Sequence, residues 1–490
     1  MYYNYELMPT IEKHDAIIVG AGVTGAAIAR ELSKYKLRVL LLEKEAEPAF
    51  GVSKSNSGII HAGTQNHPDS LKGRLCVAGN KLIREISAEL GVHFVEVGQL
   101  IVVFDETDVA ELDRIKHEGE ELGIKDMQIV RRDWLSLYEP NLGPEIAAAL
   151  YVPSAGIISP YRLVYDLTEN AVKNGVVLKT SHRVAGIRRL SGGPYRFEVE
   201  AAGSKYQTRF LINAAGLFAD KVSAMVGVTD FKITPRKGEE YLLDKKREHI
   251  ANHLVFPLPT PTSKGILIIK TSDGNPMIGP TARDTEDRND LATTEEGLNE
   301  VLAGARRMMP SIERGDIIAY FAGLRPAAGK DFIIRHETTV PGFVNVAGIQ
   351  SPGLTAAPAI ATMVVGILHG NGLVLTPKKN FHSKREKTTH LFEIPLSKTR
   401  ELIQKDPSYG DIVCRCEMVS AKEIREAIRR GARTMDGIKF RTRAQAGRCH
   451  GGFCTTRIMK IMQEELGMTV EEITKRGEGS ELVREERRHE

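Results

Sequence analysis

The chain has 490 residues, 42% of them hydrophobic, with 67 lysines and arginines against 63 acids and a net charge of +4. That length is ample for two or three domains with a large buried core, and so balanced a charge gives no reason to expect a nucleic-acid partner. No apolar run approaches the roughly 18 residues of a membrane span; the longest, Ala356 to Leu368, contains Pro358 and reads as a buried helix, so no transmembrane segment is expected. The N-terminal MYYNYELMPTIEKHD carries acids and no apolar centre, which argues against a secretory signal. Four of the five cysteines cluster near the C-terminus, unlike a secreted disulfide framework. The expectation is a soluble protein of a reducing, cytoplasmic compartment, reaching a membrane only through a partner.

Asp15 to Gly20 (DAIIVG) has the pattern of a short buried strand. It runs into Gly20-Ala21-Gly22-Val23-Thr24-Gly25, then a helical stretch, then a second apolar strand from Arg38 to Leu42 that ends in Glu43. In this βαβ order the three glycines have separate tasks: a tight turn at Gly20, close backbone approach to a diphosphate at Gly22, and helix-to-strand packing at Gly25. The helix start offers unpaired N–H groups to phosphates, and Glu43 is placed to accept hydrogen bonds from a ribose. An acid there disfavours a 2′-phosphate, which leaves NAD or FAD. Phe210 to Gly216 (FLINAAG) and Phe343 to Thr355 (FVNVAGIQSPGLT) are strands ending in small residues. Their late return suits a long cofactor threading the whole domain, hence FAD; two ordinary strand-to-helix turns are the alternative.

The first βαβ unit, SKSNSGIIHAG (Ser53 to Gly63), NAAG, GLRPAAGKD and GIQSPGLTAAP together resemble the D-amino-acid-oxidase-like flavoproteins, over roughly residues 14 to 375. Within that superfamily the likeness is greatest to FAD-dependent glycerol-3-phosphate dehydrogenases and oxidases, with 2-hydroxyglutarate oxidases nearby. The resemblance implies an α/β, Rossmann-like FAD-binding domain built from residues 1–87, 149–225 and 319–375. It implies an α+β cap with an antiparallel sheet from residues 88–148 and 226–318, where Gly98 to Phe104 and Gly265 to Lys270 alternate like strands. Residues implied to hold FAD are Gly20, Gly22, Val23, Thr24, Gly25, Glu43, Lys44, Ser53, Ser55, Asn56, Ser57, Gly58, Val184, Ala215, Gly216, Gly323, Gly353, Leu354 and Thr355.

The implied chemistry moves a hydride from a hydroxyl-bearing carbon to flavin N5. It needs a base for the O–H proton and a cationic clamp for the substrate's anionic end. His61, in GIIHAG, matches the family's base, the alternative being a histidine that only hydrogen-bonds beside the cofactor. Arg325, in AGLRPAAG, matches the phosphate clamp, since guanidinium grips phosphate or carboxylate bidentately; the alternative is an interdomain salt bridge. The resemblance also makes Lys270 a second cation at the pocket, although a lysine closing a strand is usually exposed. Ser351 would touch substrate or flavin, and Arg236 and Lys237 have no role assigned.

Cys414 and Cys416 form C-x-C; 32 residues later Cys449 and Cys454 form C-x4-C. Four thiolates suit a tetrahedral zinc ion or a [2Fe–2S] cluster. Neither pair has the C-x-x-C spacing of a zinc ribbon or a thioredoxin-like site. Ser420 to Glu423 (SAKE) is a capping box opening a helix that Gly431 can close. Gly447, Gly451 and Gly452 leave N–H groups free for sulfur, Thr455 to Leu466 reads as a helix closed by Gly467, and Thr469 to Glu472 (TVEE) as the start of another. This module, residues 409–490, resembles the bacterioferritin-associated-ferredoxin-like [2Fe–2S] domain appended to anaerobic glycerol-3-phosphate dehydrogenase large subunits. The resemblance implies a cluster held by Cys414, Cys416, Cys449 and Cys454. Residues 376–408 look like a linker, and Cys76 is expected to be packed.

The expected reaction is oxidation of sn-glycerol 3-phosphate, with electrons leaving through the cluster to an accepting subunit of a hetero-oligomeric complex. A 2-hydroxyglutarate, amino-acid or opine dehydrogenase is the near alternative. A non-catalytic FAD and iron–sulfur relay, or a redox sensor, is the distant one.

Overall fold

The computed structural model describes residues 11–260 and 264–484. Its first strand, Glu12–Val19, sends Ala16 and Ile18 into one apolar cluster and Ile17 and Val19 into another. Val39–Leu42 does the same, Val39 and Leu41 on one side and Leu40 and Leu42 on the other. Strands buried on both faces are what a parallel sheet requires. Val177–Lys179, Val39–Leu42, Glu12–Val19, Ser204–Asn213 and Phe343–Ala347 lie side by side and parallel, with Ala16 level with Val39 and with Phe210.

Helices Val23–Leu32, Leu71–Leu90, Pro160–Lys173 and Gly353–Gly370 pack on one face of this sheet. The last is long and apolar enough to cross a membrane, with mean hydropathy 1.5, but 67% of it is buried in the protein. Ala356, Ala357, Ile360 and Val364 belong to the main core, so its apolar length serves packing between helices. The other face is covered by the antiparallel strands Val184–Arg189 and Phe197–Ala201 and the short helix Ala219–Ala224.

The cap is a mostly antiparallel sheet containing Gln99–Val103, Leu254–Pro257, Leu267–Ile269 and the long pair Thr234–Leu243 and Ile317–Ala327. It departs from the expected boundaries at residues 148 and 318. Ala148–Val152 hydrogen-bonds to Gln99–Val103, and Ile317–Ala327 to Thr234–Leu243, so both strands belong to the cap sheet. The boundary at 87 falls inside the helix Leu71–Leu90.

The C-terminal domain has its own apolar core, from the hairpin Ile412–Cys414 and Val419–Ser420 and the helices Ala421–Arg429, Met435–Thr442 and Thr455–Leu466. Ser420 and Glu423 form both halves of the capping box. No helix starts at Thr469 to Glu472. The Glu472 carboxylate takes the Thr469 N–H in a local turn, and the chain then doubles back through a bridge between Thr474 and Glu481. Residues 376–408 are also more than a linker. Asn170 and Asn174 donate to the His382 carbonyl, Arg385 pairs with Asp166 and Glu169, and Leu396–Lys405 is a helix.

Candidate active site and cysteine centre

One continuous cavity of about 1390 Å³ runs from the glycine turn, between the parallel sheet and the cap, to the C-terminal domain. It exceeds the roughly 300–1,000 Å³ of pockets for drug-sized ligands, as an extended dinucleotide plus substrate requires. At its start Gly20 has φ +104°, and a Cβ there would lie 2.5 Å from the Ala214 carbonyl oxygen. A Cβ on Gly25 would lie 1.9 Å from the Gly20 oxygen, so this position sets the packing of helix against turn. The Glu43 carboxylate accepts the Ala21 N–H at 2.7 Å and the Glu45 N–H at 2.9 Å; Ser53 Oγ accepts the Val23 N–H at 2.9 Å. Burial raises the Glu43 carboxyl above its ordinary value, while the two N–H bonds oppose that shift.

Of the cofactor residues expected from sequence, all but Gly25, Gly58 and Thr355 line the cavity. Gly25 and Gly58 stand behind its wall, against the carbonyl oxygens of Gly20 and Ile158. Thr355 Oγ1 accepts the His61 N–H at 3.0 Å and so fixes the histidine backbone.

His61, Ser351 and Arg325 also line the cavity. His61 Nε2 is 3.3 Å from Ser351 Oγ, its carbonyl accepts from Asn80 Nδ2 at 3.0 Å, and its ring stands edge-on to Phe256 at 6.0 Å. Burial, with a smaller push from the Lys264 ammonium, holds its pKa well below the ordinary histidine value, so the ring is neutral. Arg325 Nη2 donates to the Thr281 carbonyl at 2.5 Å. Cys76 lies beneath His61, fully buried, and burial pushes its thiol up to about 12.

Lys270 does not line the cavity. It follows Ile266 and Ile268 in strand parity, and both pack into the core on the far side of the cap sheet, whereas Leu267 and Ile269 belong to the near-side cluster. The cation this segment gives the cavity is Lys264, pushed down to about 8 by burial. Two further residues escaped the sequence reading. Glu240 is 5% exposed, lines the cavity and leaves Oε2 unpartnered; burial pushes its carboxyl up to about 8 against the pull of Arg325. Gln65 also lines the cavity with both amide atoms unpartnered. The signal for Glu240 was alternation: Arg236, Gly238, Glu240 and Leu242 all line the cavity, while Lys237 turns away to Asp290 at 2.7 Å.

The four clustered cysteines come together as two pairs, each joining the two motifs. Cys416 Sγ is 3.6 Å from Cys449 Sγ, and Cys454 hydrogen-bonds Cys414. That bond, aided by the backbone N–H groups of Gln445 and Glu417, lowers the Cys414 thiol against burial. N–H groups of Phe453 and Gly451 lower Cys449. Cys414 and Cys454 are buried, Cys449 half-buried and Cys416 exposed. Among the described residues no three His, Cys, Asp or Glu side chains converge on a single ion position. Two pairs fit a two-iron cluster, which takes two thiolates per iron.

The FAD dependent oxidoreductase family matches residues 15–366. The chain belongs to this family. The BFD-like [2Fe-2S] binding domain matches residues 412–464, which hold all four clustered cysteines. The glycerol 3-phosphate dehydrogenase of Caloramator mitchellensis is 40% identical over 96% of this chain and 98% of its own length. The mitochondrial L-2-hydroxyglutarate dehydrogenase of Caenorhabditis elegans is 30% identical over 72% of this chain and 93% of its own. Among solved structures, dithionite-reduced L-alpha-glycerophosphate oxidase from Mycoplasma pneumoniae with FAD bound gives a TM-score of 0.73 at 33% identity, covering 76% of this chain and 99% of that one.

This FAD-dependent oxidoreductase thus carries a C-terminal [2Fe–2S] domain, and its residues fit both groups. Buried polar atoms are normally hydrogen-bonded, and the unpartnered atoms of Glu240 and Gln65 belong to residues lining the cavity that an occupant would fill.

Proposed function

We propose that this enzyme oxidises sn-glycerol 3-phosphate to dihydroxyacetone phosphate and sends the electrons through its [2Fe–2S] cluster to a partner subunit. The observation that carries this reading is a neutral histidine and a guanidinium in one buried cavity that starts at a dinucleotide turn. His61 Nε2, oriented by Ser351 and by backbone bonds to Thr355 and Asn80, takes the proton of the substrate's C2 hydroxyl. Arg325, steadied by Thr281, grips the phosphate, and Lys264 adds a second positive charge. Glu240, protonated near neutral pH, donates a hydrogen bond instead of repelling the anion. Bound FAD would accept the hydride from C2, and a [2Fe–2S] cluster would accept electrons one at a time. We place this reaction in the cytoplasm, a reducing setting that keeps four clustered thiols available to a cluster.

The Caloramator mitchellensis dehydrogenase is 40% identical, against 30% for the hydroxyglutarate relative, and this favours glycerol 3-phosphate. Arg325 would hold a carboxylate equally well, so 2-hydroxyglutarate is the second reading. The test is an anaerobic absorbance spectrum of the FAD-loaded protein before and after each substrate. Bleaching by glycerol 3-phosphate is expected. Bleaching by 2-hydroxyglutarate alone would move the assignment to the second reading, and bleaching by neither would leave a relay. Cys416→Ser should lose the electron paramagnetic resonance signal of the dithionite-reduced cluster while keeping the substrate-dependent bleaching.

A further inference from the structure

The C-terminal domain forms one wall of the flavin cavity. Lys439, Phe440 and Arg476 line the same space as Gly20, Ser53 and His61. An aromatic seam fixes that wall: Phe440 stands edge-on to Phe50 at 5.8 Å and tilts against Tyr161 at 5.1 Å. Phe50 opens the short segment whose Ser53 Oγ takes the Val23 N–H of the dinucleotide turn, and Lys54 is the next residue. The seam therefore brings a lysine from each domain to one wall of the cavity.

Lys54 Nζ lies 4.8 Å from the centre of the Phe50 ring and Lys439 Nζ 6.0 Å from that of Phe440. Among the described residues neither forms an ion pair. Their charged neighbours in common are Asp436 and Arg476, and Asp436 is engaged by Lys475 at 3.0 Å and Arg476 at 3.8 Å. Lys44 and Glu45, just past the second strand, also act on Lys54 and so locate it near the strand end that carries Glu43. Burial lowers the pKa of both lysines. Half-buried ammonium groups whose nearest shared acid is engaged elsewhere are costly to keep, and an anion between the domains would lower that cost.

We propose that Lys54 and Lys439 close on the FAD diphosphate from two domains, so that the iron–sulfur domain is itself part of the flavin-binding site. The diphosphate is the anion that the adjoining turn is shaped to hold. A free phosphate ester has the same chemistry, and the experiment separates the two. This inference rests on FAD binding and is independent of the substrate.

The full-length protein is stripped of FAD, and the FAD dissociation constant is measured by fluorescence for wild type, Lys54→Gln, Lys439→Gln, Lys439→Arg and the exposed control Lys398→Gln. Loss of one charge-assisted contact should raise the constant about tenfold or more. Lys439→Arg and Lys398→Gln should match wild type, and added salt should weaken FAD binding more in wild type than in the double glutamine variant. Iron content checks that the C-terminal domain is intact. Should Lys439→Gln lose iron, Lys54→Gln, on the other domain, decides the matter. An unchanged FAD constant in a folded variant overturns the proposal. So does an unchanged constant accompanied by lost binding of inorganic phosphate to the FAD-loaded protein, which would assign the pocket to a separate phosphate ester.

Discussion

In the proposed reaction His61 can serve as the base because it is neutral, kept so by burial and, less, by the Lys264 ammonium. Its backbone is held separately, by Thr355 and Asn80, so the ring can be changed without moving the chain. His61→Gln should keep its FAD and slow substrate-dependent flavin reduction by about 10²–10⁴-fold, measured by anaerobic stopped flow. Glu240 makes a different prediction, about stability. Its folded pKa is raised to about 8 from an ordinary 4.5, so the folded state holds a proton that the unfolded chain releases. The resulting stabilisation is complete below the ordinary value and disappears as pH rises through about 8. Glu240→Gln should therefore flatten the fall in melting temperature between pH 5 and 8 seen in wild type, as read by thermal scans. At this scale the sequence was legible where a motif bracketed the residue, as GIIHAG brackets His61. Lys270 was misread because the face of a strand depends on parity, and GILIIK does not state which parity is buried. Glu239 and Glu240 are neighbours in sequence, yet one caps Thr294 and the other faces the cavity.

Elements were legible where their ends carry chemistry. Ser420 and Glu423 announced a helix start, and both halves of that box form. Ser420→Ala should cost the C-terminal domain about 1 kcal/mol, measurable as earlier loss of the cluster's absorbance on heating. Gly467, at φ +67°, ends the last helix as expected. TVEE looked like the start of another helix, but no amphipathic run follows it, and the chain turns back within a few residues. Sheet membership was the least legible property. Ala148–Val152 is apolar on both faces and would suit either sheet; only its pairing with Gln99–Val103 decides.

At the scale of the whole molecule, charged side chains tie the C-terminal domain down. Arg443 reaches Asp273 at 2.7 Å and Asn275 at 2.8 Å in the cap, and Glu417 at 2.8 Å beside the Cys416 loop. Arg441 pairs with buried Glu47 at 2.7 Å, just past the second strand. Such pairs are costly to break from one side, because the partner stays buried with its charge. Arg443→Met should destabilise the docked arrangement by about 3–5 kcal/mol. The measurement is limited proteolysis, where residues 376–408 should be cut faster than in wild type at equal FAD content. None of these contacts is visible in sequence, since they join residues far apart along the chain with no periodic signal. The order of domains was legible, but their mutual burial was not.

The strand pairing beside the glycine turn also sets a timetable. Glu12–Val19 is made long before its neighbour Ser204–Asn213, and Phe343–Ala347 completes the row later still. At synthesis rates of about 5–20 residues per second, the first strand waits tens of seconds for that row to close. Until then its apolar residues have a sheet neighbour on one side only, Val39–Leu42, and contacts of such long sequence separation form slowly. Flavin loading belongs to the finished chain, however early the turn that begins its site is made.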